Sequence, residues 1–229
     1  MSWAQDLFHF YKNLNPPKSL PKDIEWLYPQ QDPYVLTIVK SFLDKYYDDT
    51  DQRVLMLGIN PGRFGAGVTG VNFTAPRQLT TYCDIEHNFK PQSELSAEFI
   101  YDMITAYGGV KKFYHHCFIG SVCPLGFVKN GKNINYYDDR ELLLTVKPFI
   151  IKQIKKLAAL NFSRETCLCI GGEKNYRFLT SLNDEYQWFE NIIPLAHPRF
   201  IMQYRRKEKQ QFIDQYVQLI TKSVNRLGQ

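Results

Sequence analysis

Four short apolar runs alternate along this chain with longer stretches of helical periodicity. The strand-like runs are residues 53–58, 113–122, 166–171 and 191–196. Apolar residues recur at helical spacing over residues 34–47, 97–107, 141–160, 173–182 and 208–219. Strands separated by helices form βα units, whose sheets are mainly parallel and covered on both faces. The sequence therefore predicts a three-layer α/β fold with a central, mainly parallel, four-stranded sheet flanked by helices.

Punctuating residues refine this expectation. Ser96 is expected to cap the helix over 97–107. Pro148 lies inside 141–160, which predicts either a kinked helix or a second helix with Pro148 in its first turn. The Pro-rich stretch 15–31 is interpreted as an extended segment packed on the domain. Since the chain has no internal repeat or low-complexity linker, we expect one domain over 1–229, with a helical extension over 1–50.

Composition excludes several classes of protein. The apolar and charged fractions, 44% and 22%, are ordinary for a globular chain, and 15% aromatic residues exclude disorder. The net charge of +5 permits an anionic partner. No apolar run is long enough for a membrane helix, and charged residues interrupt the N-terminal segment, so we expect neither a membrane span nor a secretory signal.

The five cysteines are expected to be free thiols in the core of a cytosolic protein. They are Cys83, Cys117, Cys123, Cys167 and Cys169. Their number is odd, and no pair has the C-x-x-C spacing typical of structural zinc or iron–sulfur sites. We therefore expect no metal and no cofactor.

A polar amide stands at the exit of the first predicted strand. Asn60 is followed by Pro61, which disfavours α-helical backbone at Asn60 and so directs its side chain. The loop GINPGRFGAGVTGVNF is rich in glycine, whose backbone N–H groups can face a ligand. The dinucleotide fingerprint G-x-G-x-x-G does not occur here, which argues against a dinucleotide site.

A second glycine pattern resembles a phosphate loop. Residues 126–133 fit G-x-x-x-x-G-K, but Asn133 replaces the magnesium-binding hydroxyl. Residues 134–137 do not open a helix. We therefore expect no nucleotide triphosphatase activity.

The last predicted strand also ends in a polar residue fixed by a proline, His197 before Pro198. A basic cluster follows at the N-terminal end of a helix. Cations there oppose the helix dipole, so an anion such as a phosphate backbone is expected nearby. Ligands of open parallel sheets bind beyond the carboxyl ends of the strands, which directs attention to Asn60 and His197.

Together, GINPGRFGAGVTGVNF and LAHPR resemble the two signature motifs of the uracil-DNA glycosylase superfamily, most closely its single-strand-selective monofunctional branch. The first motif of that branch reads G-M-N-P-G-P-F-G-M and continues to T-G-V-P-F. Ten residues fall in register, namely Gly58, Asn60, Pro61, Gly62, Phe64, Gly65, Thr69, Gly70, Val71 and Phe73. Residues 91–94, 113–118, 123–125 and 131–133 extend the similarity, which spans 54–207.

The resemblance implies hydrolysis of the N-glycosidic bond of uracil or a modified uracil in DNA. The base would be flipped out of the stack and released, leaving an abasic site. Asn60 would orient a water toward C1′ of the sugar, and His197, with backbone N–H groups near Ile59 and Gly62, would stabilise the departing base anion. Phe73 would stack on the base. No lysine matches a catalytic position, so lyase activity is not expected.

The same resemblance assigns the remaining site residues. Base-binding positions are Gly58, Ile59, Pro61, Gly62, Phe64, Phe73, Gly120 and Ser121. DNA-binding positions are Arg199, Phe200, Tyr204, Arg205, Arg206 and Lys207. The expected partner is lesion-containing DNA, single- or double-stranded, bound by a monomer without membrane contact. The location would be cytoplasmic, at the nucleoid of a bacterium or in the nucleus of a eukaryote.

The chain departs from the family at the end of the second strand. Where the family has His and a base-reading Asn, this chain has Gly120 and Ser121. Loss of a bidentate reader relaxes discrimination by about 1–3 kcal/mol. We expect a roomier pocket and altered specificity, extending to hydroxymethyluracil or deaminated purines. The alternatives are a glycosylase selective for hypoxanthine and xanthine, and a catalytically weak protein that binds lesions or single strands.

The second motif departs from the family as well. Residues 200–202 replace a segment rich in Pro and Asn that inserts into DNA. The candidates for the side chain that fills the gap left by the flipped base are Phe200, Met202 and Tyr204.

Overall fold

The computed structural model describes residues 2–92 and 94–227. Ser93, part of the block 91–94 that supports the resemblance, lies outside the described residues. The strands are β1 (Ile24–Leu27), β2 (Arg53–Gly58), β3 (Cys117–Ser121), β4 (Gly126–Lys129), β5 (Lys132–Ile134), β6 (Phe162–Ile170) and β7 (Asn191–Leu195). The helices are α1 (Trp3–Lys12), α2 (Pro33–Tyr46), α3 (Ala66–Thr69), α4 (Pro76–Thr81), α5 (Leu95–Tyr107), α6 (Val110–His116), α7 (Arg140–Ala158), α8 (Glu173–Tyr186), α9 (Pro198–Tyr204) and α10 (Lys209–Val224).

The central sheet has four parallel strands in the order β3-β2-β6-β7. Helices flank this sheet, so the predicted α/β class and strand arrangement are confirmed. The chain leaves β2 toward β3 on one side, whereas β6 and β7 lie on the other side. Such a switch point opens a crevice at the carboxyl ends of the strands. Register places Gly58 opposite Ser121 at this edge.

A smaller antiparallel sheet, β1-β4-β5, was not predicted. Its hairpin β4–β5 turns at Asn130 and Gly131, both with positive φ, 50° and 72°. Asn-Gly is the dipeptide that such a two-residue hairpin turn favours. Residues 126–133 therefore form a hairpin, and the interpretation that they are no phosphate loop is confirmed.

Two details of the expected elements are wrong. Residues 113–116 belong to α6, and β3 begins only at Cys117. Ser96 does not cap α5, because the helix begins at Leu95 and Ser96 is buried within its first turn. Of the two alternatives for the stretch around Pro148, the structure has the single helix, α7, and excludes the division into two helices. One proline removes one helical hydrogen bond, which a helix of 19 residues with a buried face tolerates.

The N-terminal helix α1 packs into the same core as the sheet. Trp3, Leu7 and Phe10 of α1 are buried, and the Trp3 ring lies 4.4 Å from that of Phe162. The fully buried guanidinium of Arg53 bonds both carboxylate oxygens of Asp49 at 2.7 Å. This pair fixes the start of β2, at the edge of the sheet opposite the crevice.

All five cysteines are buried and free, as expected. Burial raises the pKa of the Cys123 thiol to about 12, so that thiol stays protonated and unreactive. Among the described residues, no helix combines the length and the apolar character needed to cross a membrane.

Candidate active site

A cavity of about 360 Å³ opens at the carboxyl edge of the parallel sheet. The last residue of β3 and the segments that follow β2, β5, β6 and β7 contribute to its walls. Of the residues predicted from the sequence, it brings together Ile59, Asn60, Pro61, Gly62, Phe73, Ser121, His197, Arg199, Phe200 and Tyr204. The two polar residues at opposite strand exits, Asn60 and His197, therefore share one hollow.

The carboxamide of Asn60 is held by the end of β5 and by the residues that follow this strand. Its Oδ1 accepts a hydrogen bond from Tyr136 N at 3.2 Å, and its Nδ2 donates to Ile134 O at 3.3 Å. Asn133 of the same strand accepts a bond from Arg63 N at 3.2 Å. An amide oxygen has two lone pairs, so Asn60 Oδ1 retains one for a further partner.

The residue that positions Asn60 is itself anchored in the core. Tyr136 is fully buried and donates from its hydroxyl to Asn175 Oδ1 at 2.7 Å. Asn175 Nδ2 in turn contacts Cys169 Sγ of β6 at 3.2 Å. A continuous chain of hydrogen bonds thus links the amide at the end of β2 to the strand beside it.

Replacing Tyr136 with phenylalanine is expected to lower the free energy of unfolding by about 1–3 kcal/mol, because a buried Asn175 oxygen loses its donor. The hydrogen bond from the backbone N–H of residue 136 to Asn60 persists. The substitution should therefore change the activation free energy of any reaction at Asn60 by less than it changes the free energy of unfolding. Urea unfolding of both proteins checks this. An unchanged midpoint would contradict the role given to the Tyr136 hydroxyl.

His197 is the N-cap of α9, and its ring orientation follows from that position. Its Nδ1 accepts a hydrogen bond from Arg199 N at 3.1 Å, which places the imidazole proton on Nε2. Burial, together with a smaller effect of the positive charge of Arg199, lowers the pKa of His197 from 6.5 to about 4. At neutral pH the residue is therefore an uncharged N–H donor. Its ring centroid lies 6.2 Å from that of Phe73.

Phe73 has an uncommon backbone conformation for a bulky side chain, with φ at 52°. Its ring covers Gly58, where an added Cβ would lie 2.7 Å from Phe73 Cε2. Gly58 is absent from the cavity lining, so we assign it to making room for this ring. The exposed side of Phe73 lines the cavity, as the stacking prediction requires.

The sequence reasoning missed a carboxyl group in this site. Glu94 lines the cavity, and its side chain fills the space over Gly62 and Gly65, where a Cβ at Gly65 would collide with the carboxylate. Burial raises the pKa of Glu94 from 4.5 to about 7, and the charge of Arg199 acts in the opposite direction. Its place in the block 91–94 was the available signal.

The stability of the protein is expected to depend on pH through Glu94. Between pH 4.5 and about 7 the folded chain binds more protons at this carboxyl than the unfolded chain does. Its contribution to stability therefore falls as pH rises through this window. As the pH is raised from about 4.5 to about 8, the free energy of unfolding of Glu94→Gln should increase relative to that of the wild type. Urea unfolding at both values measures the difference; a constant difference would contradict the assignment.

Gly120 does not enlarge the cavity, so that expectation is wrong. A Cβ built on Gly120 would point at Leu57 Cδ2, 3.2 Å away, and at Phe118 Cε1, 3.3 Å away. Successive residues of a strand face opposite sides of the sheet, so only Ser121 reaches the cavity.

Residues assigned to DNA fall into two groups. Phe200 and Tyr204, 46% and 72% exposed, stand at the cavity mouth, whereas Met202 is 5% exposed and packs inward. Met202 is therefore excluded as the inserted side chain. Arg205, Arg206 and Lys207 are exposed but do not line the cavity, and Arg205 pairs with Glu208 at 3.2 Å. Phe64 is also exposed and outside the lining, with the Arg63 guanidinium 4.5 Å from its ring centroid.

Other polar residues of the lining were not foreseen. They are Asn72, Ser96, Asn133, Asn135 and Gln203. Asn72 had a signal, because it stands where the quoted family motif has proline. Asn133 had a signal too, because it belongs to the block 131–133 that supports the resemblance. Ser96, Asn135 and Gln203 reach the site only because the fold brings distant segments together.

Comparison with known proteins gives a consistent result. A family model of the uracil DNA glycosylase superfamily matches residues 45–221. The crystal structure of wild-type SMUG2 from Pedobacter heparinus has a TM-score of 0.94 and 43% identity, covering 98% of this chain and 99% of that one. The single-strand selective monofunctional uracil-DNA glycosylase of Rattus norvegicus is 34% identical over 122 residues. That of Mus musculus is 32% identical over 122 residues. These alignments span 44% of this chain and 44% of each relative, less than half of its length.

Proposed function

Because the chain belongs to the uracil DNA glycosylase superfamily, we propose that it is a monofunctional DNA glycosylase of base excision repair. Its reaction would be hydrolysis of the N-glycosidic bond of uracil or a modified uracil in DNA. The products would be the free base and an abasic site. One observation carries this proposal: Asn60 and His197, at the exits of β2 and β7, line the same cavity beside Phe73.

The substrate nucleotide must leave the base stack before it can enter this cavity. Unstacking costs a few kcal/mol and is cheapest for single strands and mismatches. The face of Phe73 offers a stacking surface that recovers part of that cost. Phe200 and Tyr204 at the mouth are the candidates to fill the gap left in the DNA.

Bond cleavage develops negative charge on the base and positive charge on the sugar. The uncharged Nε2–H of His197 is a donor suited to a carbonyl oxygen that becomes anionic. Asn60 Oδ1, with one free lone pair, can hold a water near C1′. The water oxygen bonds to C1′, the C1′–N bond breaks with its electron pair staying on the base, and a proton of the water neutralises that base.

The exposed cations that follow α9 are proposed to contact phosphates. Replacing Arg206 and Lys207 together with glutamine should weaken binding to single-stranded DNA of any sequence. The slope of log Kd against log salt should become shallower by about 0.7 for each lost contact. Fluorescence anisotropy across a salt series measures it. Unchanged slopes would remove these two residues from the DNA interface.

A direct assay tests the function. A single-stranded oligonucleotide that carries one uracil is incubated with the protein and then treated with alkali, which cleaves abasic sites. Strand cleavage is expected. As a control, the same oligonucleotide with thymine in place of uracil should stay intact. Intact strands for uracil, hydroxymethyluracil, hypoxanthine and xanthine would overturn the proposal.

A second candidate is a glycosylase whose preference is shifted to deaminated purines. The observation in its favour is Ser121, which lines the cavity at the position where the family has an asparagine with its larger carboxamide. In the same assay, faster cleavage at hypoxanthine and xanthine than at uracil would select it. Tight, salt-dependent binding without base release would instead indicate a lesion-binding protein.

We also infer that the protein acts as a monomer. Its location would be cytoplasmic, associated with the nucleoid if the protein is bacterial, or nuclear if it is eukaryotic. Five buried free thiols support a reducing compartment.

A further inference from the structure

The loop between Gly70 and Ala75 is fixed more firmly than its position after a glycine-rich segment suggests. The buried Thr69 hydroxyl donates to Thr74 O at 2.6 Å and accepts from Val71 N at 3.1 Å. Thr74 Oγ1 lies 3.1 Å from Asn72 O and 3.0 Å from the Tyr101 hydroxyl. Asn72 is therefore presented by a backbone that is bonded on both sides.

The side chain of Asn72 is held by two hydroxyl groups. Ser121 Oγ donates to Asn72 Oδ1 at 2.7 Å, which ties the residue to the end of β3. Asn72 Nδ2 donates to the Tyr11 hydroxyl at 3.1 Å, and Tyr11 is itself buried in α1. Both Asn72 and Ser121 line the cavity that contains Asn60 and His197. An aimed carboxamide thus stands in the wall of the site without a role in the steps derived above.

These bonds leave one N–H and one oxygen lone pair of Asn72 unused, since an amide has two of each. A donor beside an acceptor on one planar group complements a base edge with a carbonyl next to a ring N–H. Uracil has that lactam edge, and so do hypoxanthine and xanthine. Cytosine and adenine present the reverse pattern, an amino donor beside a ring nitrogen acceptor.

We propose that Asn72, oriented by Ser121 and Tyr11, reads the lactam edge of the flipped base and is the specificity-determining residue of this site. This proposal rests on the proposed function, because a base reaches Asn72 only if the protein binds a flipped nucleotide in this cavity. In this account Ser121 acts through Asn72 as a positioning residue. The carboxamide that is missing at the end of β3 is supplied by the loop after β2.

Binding of free bases tests the assignment separately from catalysis. Uracil, 3-methyluracil and cytosine are titrated into isotope-labelled protein and followed by amide chemical shifts of residues around the cavity. Uracil is expected to bind. The other two should bind at least about tenfold more weakly. In 3-methyluracil a methyl group replaces the ring N–H donor, and in cytosine the donor and the acceptor are exchanged relative to those of Asn72.

Two variants and one control complete the experiment. Asn72→Asp keeps the shape of the side chain but removes its N–H donor, and should weaken uracil binding about tenfold or more. Tyr11→Phe frees the amide to rotate and should narrow the difference between uracil and cytosine. Asn191→Ala changes an asparagine at the opposite edge of the sheet, at the start of β7, and should match the wild type.

The outcomes separate this assignment from the proposed function. Selective uracil binding that depends on Asn72, without base release from DNA, would support the role of Asn72 in base recognition and overturn the proposed glycosylase activity. Base release with unchanged selectivity in Asn72→Asp would overturn the role in base recognition alone. Equal binding of uracil and cytosine by the wild type, or no binding of either base, would also overturn that role.

Discussion

Replacing Asn60 with alanine is expected to slow uracil release by about 10²-fold or more. The substitution removes the only group proposed to hold the attacking water, and a misplaced reactant costs that much even when the rest of the site is intact. The rate is measured in single-turnover reactions with a single-stranded oligonucleotide that contains one uracil, with enzyme in excess over DNA.

Folding must be checked in the same variant, because Asn60 also bonds Ile134 O and Tyr136 N. Urea unfolding distinguishes a damaged loop from a lost catalytic group. Tyr136→Phe is the matched control, since it perturbs the support of this loop and leaves the Asn60 amide in place. A stable Asn60→Ala protein with wild-type rates would contradict the role assigned to Asn60.

Replacing His197 with alanine is expected to slow the reaction by about 10²–10³-fold, the usual cost of losing one donor to a developing anion. The loss should lie in the rate of the chemical step more than in substrate affinity, because the donor acts on charge that forms during bond cleavage. Single-turnover rates over a range of enzyme concentrations separate the two quantities.

The protonation state of His197 provides an independent check of this mechanism. Its lowered pKa, about 4, predicts an uncharged ring with the proton on Nε2 at neutral pH. Nitrogen chemical shifts of the imidazole measure both features directly. A ring that is protonated at about pH 7 would contradict the neutral donor, and an unimpaired His197→Ala protein would remove the residue from catalysis.

The sequence predicted those parts of the fold that depend on strong local patterns. Residues 53–58 were assigned correctly as a strand, since the run is fully buried and ends in Gly58 before a proline-fixed turn. The stretch 34–47 matches α2 within one residue at each end. The central sheet and its crevice followed from the alternation of such elements.

The missed parts depend on contacts between distant residues. β1 and the β4–β5 hairpin are short strands of an antiparallel sheet, partly exposed and without a continuous apolar run. The orientation of Gly120 toward the core depends on where β3 begins. The bond between Asn72 and Tyr11 joins residues 61 positions apart, which no local pattern reveals.

The crystal structure of a complex tests the central claim most directly. An oligonucleotide with a 2′-fluoro-2′-deoxyuridine resists cleavage, because fluorine destabilises the positive charge on the sugar, and so retains the intact nucleotide. We expect its base in the cavity, on Phe73, with O2 within hydrogen-bond distance of His197 Nε2 and C1′ facing Asn60. A base that stays stacked in the DNA, or that binds elsewhere on the protein, would contradict the account.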